Sequence, residues 1–236
     1  NNTVSLNAVV TNYVLDLNGS NEAAYVADDP AFESTDLSIQ VWVDPGSLPS
    51  SGNQAWFVNK NKVYRIGLKN VGGTTNITAE LRDGSGDYED LQGTTLSDAS
   101  GGWYHVVFTF DDSSNRIRLY VNGSQVASKT HNNSTVNQNS AFSIGRRHDS
   151  NAAYYAGKID EVAYWNTELS ANAISTLYNS GTPLSASSNS GNYTSSGNLV
   201  AYYQFQENLN DSEGSFTLTN YNNNIGSSNY VAETIE

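Results

Sequence analysis

Cysteine and methionine are absent from the 236 residues, and 11 lysines and arginines stand against 24 aspartates and glutamates. Without cysteine there is no disulfide framework, no thiolate nucleophile and no thiolate-held zinc or iron–sulfur cluster. The shortage of basic groups leaves a formal net charge of −13, whose field repels phosphate backbones and anionic membranes. The sequence therefore argues against a nucleic-acid partner. No apolar run approaches the roughly 20 residues needed to cross a bilayer, so no membrane insertion is expected. The chain opens at Asn1 without an initiator Met or a signal-like stretch, and reads as a soluble piece of something longer. Charged residues are scarce at 15%, but hydrophobic residues at 37% and aromatics at 11% supply enough apolar surface for a core, which excludes a wholly disordered chain.

What is present reads as strand. In Ser38-Ile39-Gln40-Val41-Trp42-Val43, alternation places Ile39, Val41 and Val43 on one face and Gln40 and Trp42 on the other, as in a half-buried strand stopped by Asp44-Pro45-Gly46. Trp103 to Phe110 forms a second strand, and Asp111 to Asn115 turns into a third, Arg116 to Val121. That strand turns Ile117, Leu119 and Val121 inward and Arg116, Arg118 and Tyr120 away. Asn122-Gly123 suits a two-residue type I′ turn, because both positions need positive φ, and leads into Ser124 to Ser128.

One stretch carries helix punctuation: Thr167 or Ser170 caps Ala171 to Tyr178, and Gly181 with Pro183 closes it. Ser185 to Gly197 is almost all Ser, Asn, Gly and Thr and reads as a surface excursion. Leu199 to Phe205 and Ser215 to Thr219 return to strand pattern and are expected to rejoin the same sandwich.

Three stretches together resemble the laminin-G-like jelly rolls of the concanavalin A-like lectin/glucanase superfamily. They are Leu15 to Val26 followed by Leu37 to Val43; Gly102 to Gly123; and Gly157 to Trp165 followed by Leu169-Ser170 and Ile174. The resemblance implies an all-β, antiparallel two-sheet jelly-roll sandwich with one short helix after the closing strand. One domain is expected over 1–236, with its core at 14–181 and C-terminal strands within 199–219. The fold hosts binding modules, adhesive domains and glycan-cleaving enzymes, so function must be argued from the site.

The superfamily's retaining glycanases carry Glu-x-Asp-x-x-Glu or a close variant on one strand, at the ~5–5.5 Å carboxylate spacing that a covalent mechanism needs. No such run occurs here: Glu161 is followed two residues on by Ala163, Glu80 by Arg82 and Glu89 by Leu91. His105 falls in a strand, His131 and His148 fall in loops, and there is no Gly-x-Ser-x-Gly elbow. Asp83 to Asp87 looks like a calcium loop but has Thr94 where the twelfth-position Glu belongs, so a hairpin turn is the better reading.

Asp160 stands between Ile159 and Val162 in the closing strand, where a carboxylate is costly unless donors or a cation compensate it. The resemblance implies a structural Ca²⁺ held by Asp160 with Asp16, Asn18 or Gly19; backbone donors or an ion pair with Lys158 are the alternative. Glycan recognition needs an exposed ring to stack on a sugar and polar groups to bond its hydroxyls. The candidates are Trp56, Tyr64, Arg146, Arg147, His148, Tyr154 and Tyr155, with the arginine pair suited to a sulfate, uronate or sialate. Trp42, Trp103 and Trp165 match core positions. The expectation is a non-catalytic module that recognises a glycan or cell-surface receptor, within a larger extracellular, cell-surface or virion (tail-fibre-like) protein. A spacer domain and a divergent glycoside hydrolase are the competing readings.

Overall fold

The computed structural model describes residues 11–131, 138–150 and 152–235. The first strands are β1 (Tyr13–Asn18), β2 (Ala24–Val26), β3 (Leu37–Pro45), β4 (Gln54–Lys60) and β5 (Tyr64–Val71). Then come β6 (Thr74–Arg82), β7 (Tyr88–Leu96), β8 (Tyr104–Asp111), β9 (Arg116–Val121) and β10 (Ser124–Thr130). After β11 (Phe142–Ile144) and β12 (Ala156–Trp165), helix α1 (Ala171–Tyr178) precedes β13 (Leu199–Tyr203), β14 (Thr219–Asn220) and β15 (Tyr230–Ala232).

All strand pairs are antiparallel. An eight-stranded sheet runs β10-β9-β8-β3-β12-β1-β15, with β13 also on β12, and a seven-stranded sheet runs β14-β2-β11-β4-β5-β6-β7. Between them lies the main core, which includes Leu37, Ile39, Val41 and Val43 of β3, Ile66 and Leu68 of β5, Phe108 and Phe110 of β8 and Ile159 of β12. The C-terminal segment rejoins both sheets, β13 on β12 and β14 on β2. The molecule is thus the antiparallel jelly-roll sandwich with one short helix that the sequence implied.

The eight-stranded sheet departs from the half-buried expectation, because its outer face is also covered. Helix α1 and the chain after it pack there, burying Ala163, Trp165, Ile174, Leu177, Ala186, Tyr193 and Tyr202 in a second cluster. Gln40 and Trp42 are therefore buried along with the inward side of β3, and Tyr120, expected to face away, is buried with them. The Ser185–Gly197 excursion is likewise not a bare surface loop. Tyr193 accepts a bond from Trp165 Nε1 (2.9 Å) and donates to the Ala186 carbonyl (2.6 Å), pinning the loop to the sheet.

Local rules held elsewhere. Asn122 and Gly123 take φ of 50° and 73° for the tight turn. Ser170 caps α1, accepting from Ala173 N–H, but Asn179 rather than Gly181 takes the left-handed closing position. Most of Ser215–Thr219 is not strand, because the Asp211 carboxylate accepts the N–H groups of Ser215 and Phe216 that a ladder would use.

Two neighbours share one edge of β12: β1 pairs with residues 156–159 and β13 with 162–165. At the seam Glu161 has φ of 51° and the β12–β3 register shifts, a bulge that turns both Asp160 and Glu161 toward the outer face.

Candidate functional site

The outer face of the seven-stranded sheet carries an in-register polar row. Tyr25 on β2 lies opposite Ser143 on β11, then come Asn59 on β4, Arg65 on β5, Glu80 on β6 and Asp90 on β7. One half of the row is closed by its own charges. Arg65 pairs with Glu80 (2.5 Å), and Lys69 bridges Glu80 (2.7 Å) and Asp90 (2.9 Å). The Arg65 guanidinium lies 3.6 Å over the Tyr88 ring and 4.9 Å over Trp56. Trp56 is fully buried and fits against β5 only because Gly67 has no side chain; a Cβ there would lie 2.8 Å from the indole.

The other half opens into a cleft of about 610 Å³. Its walls come from β2 and the residues after it, the β4–β5 turn, and the segments before and after β11. Tyr25 and His148 form a ring pair with centroids 4.5 Å apart at 49°. Asn61 donates to Asp149 Oδ2 (2.7 Å), while Arg147 clamps Asp149 from Nε (2.7 Å) and Nη2 (3.0 Å). The opposite wall is tied down by Lys60, whose fully buried ammonium reaches Asp28 (2.7 Å), Glu33 (3.2 Å) and the Ser140 carbonyl (2.7 Å). Burial, reinforced by the Arg146 charge, lowers the His148 pKa from the usual imidazole value and so favours its neutral form. A half-buried ring pair beside fixed carboxylate and amide acceptors can stack on one flat face of a ligand and bond the hydroxyls at its edge.

Of the ligand residues expected from sequence, only His148 lines this cleft. Arg147 supports it indirectly through Asp149. Arg146 is buried behind it: the guanidinium sits 3.6 Å over the Tyr221 ring, and Nη1 donates to Tyr154 Oη (2.9 Å). Trp56, Tyr64 and Tyr155 are corrected to core positions. Tyr64 donates to the Phe32 carbonyl (3.1 Å) and Tyr155 to that of Lys158 (3.0 Å), so no ring face is open to a sugar. Tyr25, Asp28, Asn61 and Lys62 were missed. Nothing local marks Tyr25 in Ala23-Ala24-Tyr25-Val26, since its exposure depends on partners distant in sequence.

The residues implied for calcium do not converge. Asn18 is engaged in a turn, accepting from the N–H groups of Ser20 (2.8 Å) and Asn21 (3.2 Å), and Gly19 packs on Ala156. Asp16 lies opposite Lys158, in a groove shared with Asp44. Asp160 lines a different cavity of about 200 Å³ at the β12 seam, with Asn12, Glu161, Thr182 and Thr234. There its Oδ2 accepts from Asn12 (3.3 Å), while Oδ1, buried, has no partner. Burial and the adjacent Glu161 push the Asp160 carboxyl well above the usual range. Burial also raises Glu161, which accepts from Tyr202 Oη, to about 7. Among the described residues no three His, Cys, Asp or Glu side chains gather to hold a metal, and no helix is long and apolar enough to span a membrane.

A model of the laminin-G-like family within the concanavalin A-like lectin/glucanases superfamily matches residues 18–175, and the chain belongs to that family. No curated protein matches its sequence. Among solved structures, a protein of Bacteroides ovatus described as a candidate carbohydrate-binding protein superposes with a TM-score of 0.68 at 17% identity, over 96% of this chain and 60% of that one. A heptameric SAP-like pentraxin of Limulus polyphemus gives 0.55 at 15% identity over 89% and 95% of the two chains. The family 40 carbohydrate-binding module of a Ruminococcus gnavus sialidase, bound to α2,3-sialyllactose, gives 0.54 at 14% identity over 72% and 98%. At these identities the likeness is one of fold, and this chain spans 60% of the Bacteroides protein.

Proposed function

We propose that the protein is a non-catalytic carbohydrate-binding module that seats a sugar on the Tyr25–His148 ring pair. The observation that carries this reading is the pair itself, open in a cleft whose hydrogen-bonding groups are already fixed by Lys60 and Arg147. The Bacteroides protein and the sialidase module lend support as relatives in fold that are described as carbohydrate binding. A larger surface or virion protein is the setting we propose for the module. Screening on a glycan microarray followed by calorimetry tests the reading: Tyr25→Ala is expected to weaken the best oligosaccharide at least tenfold, or about 1.4 kcal/mol. A wild type that binds no glycan would overturn it and favour a spacer.

We also propose that a calcium ion neutralises Asp160. Its buried Oδ1 has no partner, and the cavity that Asp160 lines is also lined by Glu161, Thr182 and Thr234, whose oxygens are donors of the kind Ca²⁺ takes. Asp16, Asn18 and Gly19 have no part in this set. An ion bound only by the folded chain stabilises it by about 2.7 kcal/mol at a hundredfold excess over Kd, so chelation is expected to lower the melting temperature. An unchanged midpoint in excess chelator, with Asp160→Asn equally neutral, contradicts it.

A further inference from the structure

Each carboxylate that lines the cleft is matched by a cation of the protein. Asp28 pairs with the fully buried Lys60, which also holds Glu33, and Asp149 is clamped by Arg147. Two cations are left over. Arg146 is buried with a hydroxyl, a carbonyl and a ring for partners, and no carboxylate pairs with it among the described residues. Lys62 lines the cleft, is exposed, and has no ion pair among the described residues either. Among charged groups that line the cleft or bond to its lining, Lys60, Lys62, Arg146 and Arg147 stand against Asp28, Glu33 and Asp149. The cleft is therefore locally positive in a chain of net charge −13. Lys62 also occupies a costly backbone position. In the β4–β5 turn, where Val63 N–H bonds the Lys60 carbonyl (3.0 Å), it takes φ of 63°, a left-handed conformation that glycine or asparagine adopts more readily. A strained position filled by a side chain that the protein itself does not engage points to a use outside the protein.

We propose, resting on the carbohydrate reading, that the cleft takes a glycan bearing an anionic group, a carboxylate or a sulfate, with a sugar ring on Tyr25 and His148 and the anion on Lys62 Nζ. The bond from an ammonium to an anion is charge-assisted, the stronger kind. Asp28 and Asp149, already neutralised by Lys60 and Arg147, remain acceptors for sugar hydroxyls without driving the anion away. The Arg146 charge behind the cleft is buried and so is screened less by salt than a surface charge. Repulsion from the remaining acids of the chain fades over about 8 Å at physiological salt, so the balance within the cleft decides the preference.

The test pairs acidic glycans with neutral parents by calorimetry: lactose against α2,3-sialyllactose and against sulfated lactose, and galactotriose against trigalacturonic acid, so that carboxylate and sulfate are read separately. At least one acidic member is expected to bind about fivefold more tightly than its parent, the upper end for a charge pair open to water, with the margin shrinking as salt rises. Lys62→Asn removes the ammonium and suits the left-handed turn. Its melting temperature is expected to equal or exceed that of the wild type, while the acidic preference disappears and the neutral parent binds as before; Lys62→Arg is expected to keep the preference. Neutral parents bound as tightly as every acidic partner, or a preference that survives Lys62→Asn, would overturn the proposal and leave the carbohydrate reading intact. A protein that binds neither class overturns both.

Discussion

At the scale of single residues, the difference between a binding aromatic and a core aromatic is decided by what lies over the ring. Tyr25 and Trp56 both sit on the outer face of the seven-stranded sheet. Arg65 and Gly67 close over Trp56, while nothing but His148 touches the Tyr25 ring among the aromatic contacts described. Trp56→Ala is accordingly expected to empty a core site and destabilise the fold by about 3–5 kcal/mol, measured by urea unfolding. Tyr25→Ala is expected to cost far less stability and to remove binding instead. A Trp56→Ala protein of wild-type stability would mean that the indole is not packed as described. Sequence reasoning went wrong for Trp56, Tyr64 and Tyr155 because a ring's residue type does not tell which strand covers it.

At the scale of elements, alternation read correctly which residues of β3 and β9 face the core, since that face is set by the pleat alone. It failed for their outer faces. Whether Gln40, Trp42 or Tyr120 meets water depends on where α1 and the Ser185–Gly197 loop come to rest, and a loop of small polar residues gives no sign that Tyr193 anchors it. The covered face has a measurable consequence at His105, whose ring is buried against Trp42 (4.9 Å) and Tyr178 (5.8 Å), with Nε2 at 2.9 Å from Gln40 Oε1. Burial drives its pKa from 6.5 down to about 3. As pH falls below 6.5 the unfolded chain takes up a proton that the folded chain refuses, so stability falls with acid, by up to about 1.4 kcal/mol per pH unit until about pH 3. Unfolding midpoints of wild type and His105→Gln are expected to draw together from pH 7 to pH 4. Parallel curves would show that the imidazole is not buried neutral.

At the scale of the whole molecule, the sandwich was legible because three separated stretches each kept the order and spacing of one family, and the family match over residues 18–175 bears this out. The cleft was not legible, since β2, the β4–β5 turn and the flanks of β11 are far apart in sequence and meet only in the folded sheet. The calcium set failed for the same reason: Asp16 and Asp160 lie on adjacent strands, but in different cavities along them. The central claim is that a sugar sits on Tyr25 and His148, and crystals of the protein soaked in its best microarray ligand test it most directly. A pyranose or furanose ring stacked on that pair, with hydroxyls bonded to Asn61, Asp149 or Asp28, is the result the account predicts. A sugar bound on the helix-covered face of the eight-stranded sheet, or beside Asp160 and Glu161, would contradict it.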